Sequence, residues 1–266
     1  MRSTSNWKAG VAAHHAPVWI GMAAIVAMSW LYLARMDGDM SSMGDSSAVQ
    51  GAMAMAMGGG GSDRLATVFA MWAVMMTAMM LPTVAPSAFM FSSLSARRDA
   101  AHSGRATAIY VAAYAACWML FAAPAAALQW TLTSSSLLDP MAHSTSALLS
   151  AAILLSAGAY QFTSLKNACL SKCRSPLGFF MAEWRDGASG ALAIGVQHGA
   201  YCVACCWALM AVMFVVGAMN LAWMGLLTLL VLGEKVIPPR WRFDRFVGAT
   251  LVASGLWIAA GAWLGT

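Results

Sequence analysis

One imidazole and three thiols are concentrated in a single apolar segment, GVQHGAYCVACCWALMAVMF, which covers residues 195–214. On an α-helix successive residues are rotated by about 100°, so residues three or four apart share a face. On that basis the side chains with metal-ligand chemistry fall within an arc of about 100° of one helix. They are His198, Cys202, Cys205, Cys206 and Met213.

Thiolate, imidazole and thioether groups suit Cu(I) or Zn(II), and they suit Mg(II) or Ca(II) poorly. Three thiolates around one Zn(II) or one Cu(I) leave net negative charge, which is costly in hydrocarbon without a counter-cation. We therefore expect that the three cysteines do not all bind one ion as thiolates. A dithiolate Zn(II) site, a Cu(I) site with one thiolate and neutral His and Met ligands, or two Cu(I) ions sharing the thiols would reduce the charge. Redox-active thiols and simple packing are the alternatives.

Methionines provide a second set of candidate ligands. In the segment MWAVMMTAMMLP, Met75 and Met79 lie on one helical face, where packing is the usual role of methionine. A Gly- and Ser-rich stretch contains the run Met53, Met55 and Met57. Thioethers bind Cu(I) without deprotonation, so these residues are candidate capture ligands, with a flexible linker as the alternative.

Cys169 and Cys173 lie four residues apart among basic side chains, in AGAYQFTSLKNACLSKCRSP. Basic neighbours favour thiolate, which predicts a second metal or redox site in a cytoplasmic loop. The alternative is that the basic residues only anchor a helix end. Further along, adjacent Glu234 and Lys235 predict a local ion pair at the membrane interface.

The rest of the chain predicts an all-α, polytopic transmembrane bundle. Charged residues make up 9% of the chain and apolar residues 61%, whereas about a quarter of a soluble domain is charged. A span needs about 20 apolar residues. Seven segments qualify or nearly qualify as spans: 17–35, 65–93, 106–130, 146–166, 190–217, 220–234 and 246–265.

Under seven spans, thirteen of the fifteen Lys and Arg residues fall on one side of the membrane. The positive-inside rule then places the N-terminus in the cytoplasm and the C-terminus outside. The predicted organisation is an N-terminal tail and first helix (1–35), a Met-rich flexible outer loop (36–64) and a six-helix core (65–266). The net charge of +5 is distributed over short loops without interleaved aromatic residues, so no nucleic-acid partner is expected.

Four motifs together resemble a bacterial family of predicted metal-binding integral membrane proteins of unknown function. They are MWAVMMTAMMLP, AGAYQFTSLKNACLSKCRSP, HGAYCVACCWALM and MNLAWMGLLTLLVLGEK, and the resemblance covers roughly residues 65–240. Ala204 stands where that family's motif commonly has Gly. The resemblance implies a multi-pass protein of the bacterial inner membrane, with metal bound by the Cys/His segment.

These patterns favour copper handling, with zinc as the alternative metal. We expect outer methionines to capture Cu(I) and the cysteine cluster to hold it. Delivery to a partner protein, or inward movement past Cys169 and Cys173, would follow. The alternatives are a membrane metalloenzyme with a copper site for oxygen or redox chemistry, and a structural subunit of a larger membrane complex. Besides the lipid bilayer, the expected partners are a metal-receiving protein and possible homo- or hetero-oligomer subunits.

Overall fold

The computed structural model describes residues 4–42, 61–139, 142–218 and 220–264. The backbone of these residues is helical apart from short connections, and it contains one isolated β-bridge, between Leu138 and Ser144, but no strand. The predicted all-α class is confirmed.

The helices in chain order are α1 (Thr4–Ser42), α2 (Gly61–Arg98), α3 (Ser103–Ser134), α4 (Ala147–Gln161), α5 (Ser164–Arg174), α6 (Pro176–Glu183), α7 (Gly187–Ala211), α8 (Met213–Val216), α9 (Leu221–Val236) and α10 (Phe243–Leu264), with a 3-10 turn at Pro239–Trp241. The predicted outer loop is thus helical up to Ser42 and again from Gly61. Its central part, with Met53, Met55 and Met57, lies outside the described residues.

A helix stands at each of the seven predicted span positions. In the described part of the chain, five segments are long and apolar enough to cross a membrane: Ala16–Gly38, Leu65–Arg98, Ser103–Ser134, Gly187–Val216 and Pro239–Leu264. Helices α4 and α5 meet at a bend of 64° and pass the same test only as a pair. Helix α9 has 16 residues, fewer than the roughly 20 that a straight span requires. The number of spans and their orientation remain predictions.

The centre of the bundle is formed by α3, which packs along both α2 and α7, while α4 packs along α10. Two glycines one turn apart allow α3 and α7 to approach closely. A Cβ on Gly195 would lie 2.6 Å from the Tyr110 carbonyl oxygen, and one on Gly199 would lie 2.7 Å from Cys117 Sγ. Glycines at this spacing are typical of close helix contacts in membranes. The contact fixes which face of α3 meets the cysteine-bearing face of α7.

The prediction of a loop after the fourth span is wrong, whereas the cytoplasmic location of this segment stays a prediction. Residues 164–183 form α5 and α6, and α5 packs against α7. Lys166, Cys169, Leu170 and Cys173 are buried along one face of α5. This spacing of three or four residues is that of an amphipathic helix, whose buried face is stabilised by packing on the bundle.

Candidate metal centre

Three thiols from α7 meet in the interior of the bundle. The Sγ atoms of Cys202, Cys205 and Cys206 all lie within 4.8 Å of one another, and none of these residues is more than 1% exposed. The Cys205 and Cys206 sulfurs are 3.2 Å apart, and the Cys205 thiol donates to the Cys202 carbonyl oxygen at 3.2 Å. All three are free thiols. The structure therefore brings together the three cysteines whose spacing predicted a shared face.

A fourth thiol reaches this group from another helix. Cys173, near the end of α5, is buried, and its side chain interacts with those of Cys202 and Cys205. Cys169 lies one turn earlier on the buried face of α5. The sequence predicted a separate site for Cys169 and Cys173, but the structure places Cys173 at the α7 cluster. The difference arises because α5 folds back against α7 instead of extending into a loop.

A buried lysine contacts the cluster directly. Lys235, in the last turn of α9, donates from Nζ to Cys202 Sγ at 3.2 Å and to Thr83 Oγ1 at 2.8 Å. Its Nζ also lies 5.9 Å from the ring centroid of Tyr114, whose hydroxyl is 3.0 Å from Cys202 Sγ. The cluster therefore has a cation within its first layer of neighbours. The charge argument from the sequence assumed that no counter-cation was present and therefore limited the number of thiolates on one ion.

The predicted local pair between Glu234 and Lys235 is wrong. Adjacent residues on a helix point about 100° apart, so each side chain faces a different part of the bundle. Glu234 accepts from Lys166 Nζ at 2.7 and 2.9 Å and from Gln161 Nε2 at 3.0 Å. The Lys166 and Glu234 side chains are no more than 1% exposed, so this is a buried ion pair between α5 and α9.

The C-terminal end of α5 also contacts neighbouring helices through hydrogen bonds and an ion pair. Arg174 donates from Nε to the Glu234 carbonyl oxygen at 2.5 Å and from Nη2 to Asp244 Oδ1 at 3.1 Å. Lys166 and Arg174 thus fix both ends of α5 to α9 and α10. Because Cys173 precedes Arg174, these ion pairs position the fourth thiol. Neighbouring residues of α9 therefore serve one site: Glu234 holds α5, and Lys235 contacts Cys202.

His198 lies one turn before Cys202 and is 1% exposed. Its Nδ1 shares a hydrogen bond with the Tyr110 hydroxyl. Other aromatic rings surround the imidazole, with centroids 5.6, 5.9 and 6.4 Å away; they belong to Tyr114, Phe179 and Phe180. The histidine is thus engaged by a tyrosine within an aromatic enclosure. Its predicted role as a ligand remains a prediction.

The family comparison adds information that the geometry alone does not contain. Residues 69–258, more than half of the chain, match the family PpoB2, described as a copper chaperone. The chain belongs to this copper-chaperone family. No curated protein and no solved structure matches the chain. Membership confirms the predicted metal-binding family, and together with the cysteine cluster it supports copper handling.

In this PpoB2-family chain the predicted methionine ligands lie in the same core as the thiols. Met75, Met79 and Met213 are at most 1% exposed and belong to the buried cluster that includes the cysteines of α5 and α7. Helix α7 ends at Ala211, and Met213 begins α8 after a break at Val212. The predicted stripe therefore continues across a break in the helix. That Met75, Met79 and Met213 are metal ligands remains a prediction.

A separate cavity of about 660 Å³ opens where α2 ends and α3 and α7 begin. Its lining includes Arg98, Asp99, His102 and Trp184 but none of the cysteines. The His102 side chain hydrogen-bonds to Asp99 and lowers the pKa of that carboxyl group. This polar cavity is distinct from the thiol cluster.

Sequence reasoning missed three residues that contact Cys202 or its lysine: Thr83, Tyr114 and Lys235. For Lys235 a signal was present, because an ionisable residue next to a membrane-embedded apolar run is a functional candidate. It was interpreted instead as one half of a local ion pair with Glu234 at the membrane interface. Thr83 carries no such signal, since a threonine hydroxyl in an apolar helix commonly bonds to its own backbone, as it does here to the Met80 carbonyl oxygen. Tyr114 carries none because an aromatic residue in an apolar segment most often contributes packing.

Proposed function

We propose that this protein is a membrane-embedded copper chaperone that holds Cu(I) as cargo at Cys202, Cys205 and Cys206 and passes it to a partner protein. The observation that carries the proposal is the convergence of three buried thiols within 4.8 Å. Thiolates are soft ligands that favour Cu(I). Family membership independently supports copper.

The membrane location rests on two features. Five described segments are long and apolar enough to cross a bilayer, and only 9% of the residues are charged. We place the protein in the bacterial inner membrane with its N-terminus in the cytoplasm, as the distribution of basic residues favours. The thiol cluster then lies within the bundle, shielded from oxidants in solution.

Release of the cargo requires exchange of ligands, and the site has the donors for it. Cys173 interacts with Cys202 and Cys205 from α5, outside the group of three sulfurs that lie within 4.8 Å of one another, so a fourth thiol is near the proposed copper site. A Cu(I) ion held by two thiolates can exchange one of them for a neighbouring thiol without leaving the cluster. We assign Cys173 to this exchange, and we assign capture from outside to Met53, Met55 and Met57, with Met75 and Met79 following them.

The experiment is metal analysis by mass spectrometry of detergent-purified protein loaded with Cu(I) under reducing conditions. A variant with Cys202, Cys205 and Cys206 all replaced by Ala is the test. Cys117→Ala is the matched control, because Cys117 is half-buried and contacts the Val196 carbonyl oxygen at 3.5 Å, outside the three-thiol group. We expect stoichiometric copper in the wild type and the control and its loss in the triple variant. Equal copper in all three proteins would disprove the site.

The rate of copper removal separates a chaperone from the alternative metalloenzyme. A Cu(I) chelator added in excess should remove the cargo of a chaperone quickly, because transfer requires labile ligands. Copper that resists the chelator and reacts with oxygen or a small substrate would instead support an enzyme.

A further inference from the structure

The ammonium group of Lys235 is held in the interior with few partners. Its Nζ contacts Cys202 Sγ at 3.2 Å and Thr83 Oγ1 at 2.8 Å. In the part of the chain that the structure describes, the ion pairs of Lys and Arg join other residues: Glu234 pairs with Lys166, Asp244 with Arg174 and Asp186 with Arg98. A buried charge is costly unless it is paired. Cys202 Sγ lies 3.2 Å from Lys235 Nζ, and its thiolate form would balance this charge.

This cation changes the charge balance at the metal position. One Cu(I) with two thiolates has one net negative charge, and the ammonium group brings the total to zero. One Zn(II) with two thiolates is already neutral, so the same ammonium group leaves a buried positive charge. Zn(II) reaches neutrality only by recruiting a third thiolate, which Cu(I) does not need.

Direct electrostatic repulsion between the Lys235 ammonium group and the metal ion also favours Cu(I) over Zn(II). The Coulomb energy between two charges is proportional to their product, so a fixed ammonium group repels a divalent ion twice as strongly as a monovalent ion at the same place. The interior screens this repulsion less than water does. The ion pairs of Glu234 and Asp244 with their own cations are neutral and leave this difference in place.

We infer that Lys235 is a specificity-determining residue, whose fixed charge makes the thiol cluster prefer Cu(I) to Zn(II). The inference rests on the proposed function for the position of the metal, and it goes beyond that function by assigning metal selectivity to a residue that is not a ligand. Removal of the charge should shift the preference toward the divalent ion, whereas a lysine that only packs would affect both ions alike.

The test compares Lys235→Met, which removes the charge, with Lys235→Arg, which keeps it, and with Thr83→Val, which removes the other hydrogen-bond partner of Lys235. Affinities for Cu(I) and Zn(II) are measured separately on the full chain in detergent, by competition with chromophoric chelators without oxygen. The readout is the ratio of the two affinities. We expect the Cu(I)-to-Zn(II) ratio to fall at least about tenfold in Lys235→Met, because unit charges a few ångströms apart interact strongly at the effective dielectric of a protein. The ratio should stay within about threefold in the other two variants, because they keep that charge.

An equal loss of both affinities in Lys235→Met, or an unchanged ratio, would show that Lys235 has only a structural role. If Lys235→Met does not fold, Lys235→Gln provides the same comparison, because its amide can still bond to Thr83. A wild-type protein that binds no Cu(I) would instead refute the proposed function. The two failures are therefore distinguishable.

Discussion

The ion pair between Lys166 and Glu234 offers a direct test of how the site is positioned. We predict that Glu234→Gln destabilises the protein and releases α5. This carboxylate accepts three hydrogen bonds at 2.7–3.0 Å, two from Lys166 Nζ and one from Gln161 Nε2. An amide has the same shape but presents its own N–H groups to these donors, and it leaves the Lys166 ammonium group buried without an anion.

The size of the effect follows from burial. Both side chains are at most 1% exposed, and removal of one partner of a buried pair typically costs about 3–5 kcal/mol. For a chain of this size that loss corresponds to a fall in the melting temperature of roughly 10 °C. The double variant Lys166→Met with Glu234→Gln removes both charges and leaves the amide to bond to Gln161. It should recover at least about half of the lost stability, because replacing both partners of a buried pair is often close to neutral.

Thermal unfolding in detergent, followed by intrinsic fluorescence, measures the stability of the three proteins. Labelling of Cys173 by a maleimide, located by peptide mass spectrometry, measures the release of α5. Faster labelling is expected in the single variant and a partial return in the double variant. If Glu234→Gln melts within about 2 °C of the wild type, or if the double variant is less stable than the single one, the argument that this pair positions α5 is refuted.

Two further predictions concern the contact between α3 and α7. Gly199→Leu should abolish stoichiometric copper binding, because a Cβ alone would already lie 2.7 Å from Cys117 Sγ. The control Gly225→Ala should bind copper normally, because the atom nearest to its added Cβ is 3.9 Å away. Normal copper content in Gly199→Leu would contradict the packing argument. Tyr114→Phe removes the hydroxyl that lies 3.0 Å from Cys202 Sγ. It should weaken Cu(I) binding about tenfold in chelator competition, as is typical when a group that orients a metal ligand is lost. An unchanged Cu(I) affinity would exclude an orienting role for Tyr114.

Local patterns in the sequence determined much of this molecule. Few charges and long apolar runs determine a helical bundle, because backbone groups away from water must be satisfied within each segment. The spacing of Cys202, Cys205 and Cys206 predicted their shared face, because helical periodicity depends only on neighbouring residues. Metal-ligand chemistry followed from the residue types.

Only the tertiary structure decided which helix faces meet. Lys235 and Cys202 are 33 positions apart, and Lys166 and Glu234 are 68 apart, so no local periodicity relates them. The fold-back of α5 places Cys173 beside the α7 thiols, and the close approach at Gly199 brings α3 against α7. These contacts depend on the fit of whole helix surfaces and on the pairing of buried charges. For that reason the sequence indicated the thiols, whereas the fold placed the Lys235 ammonium group beside them.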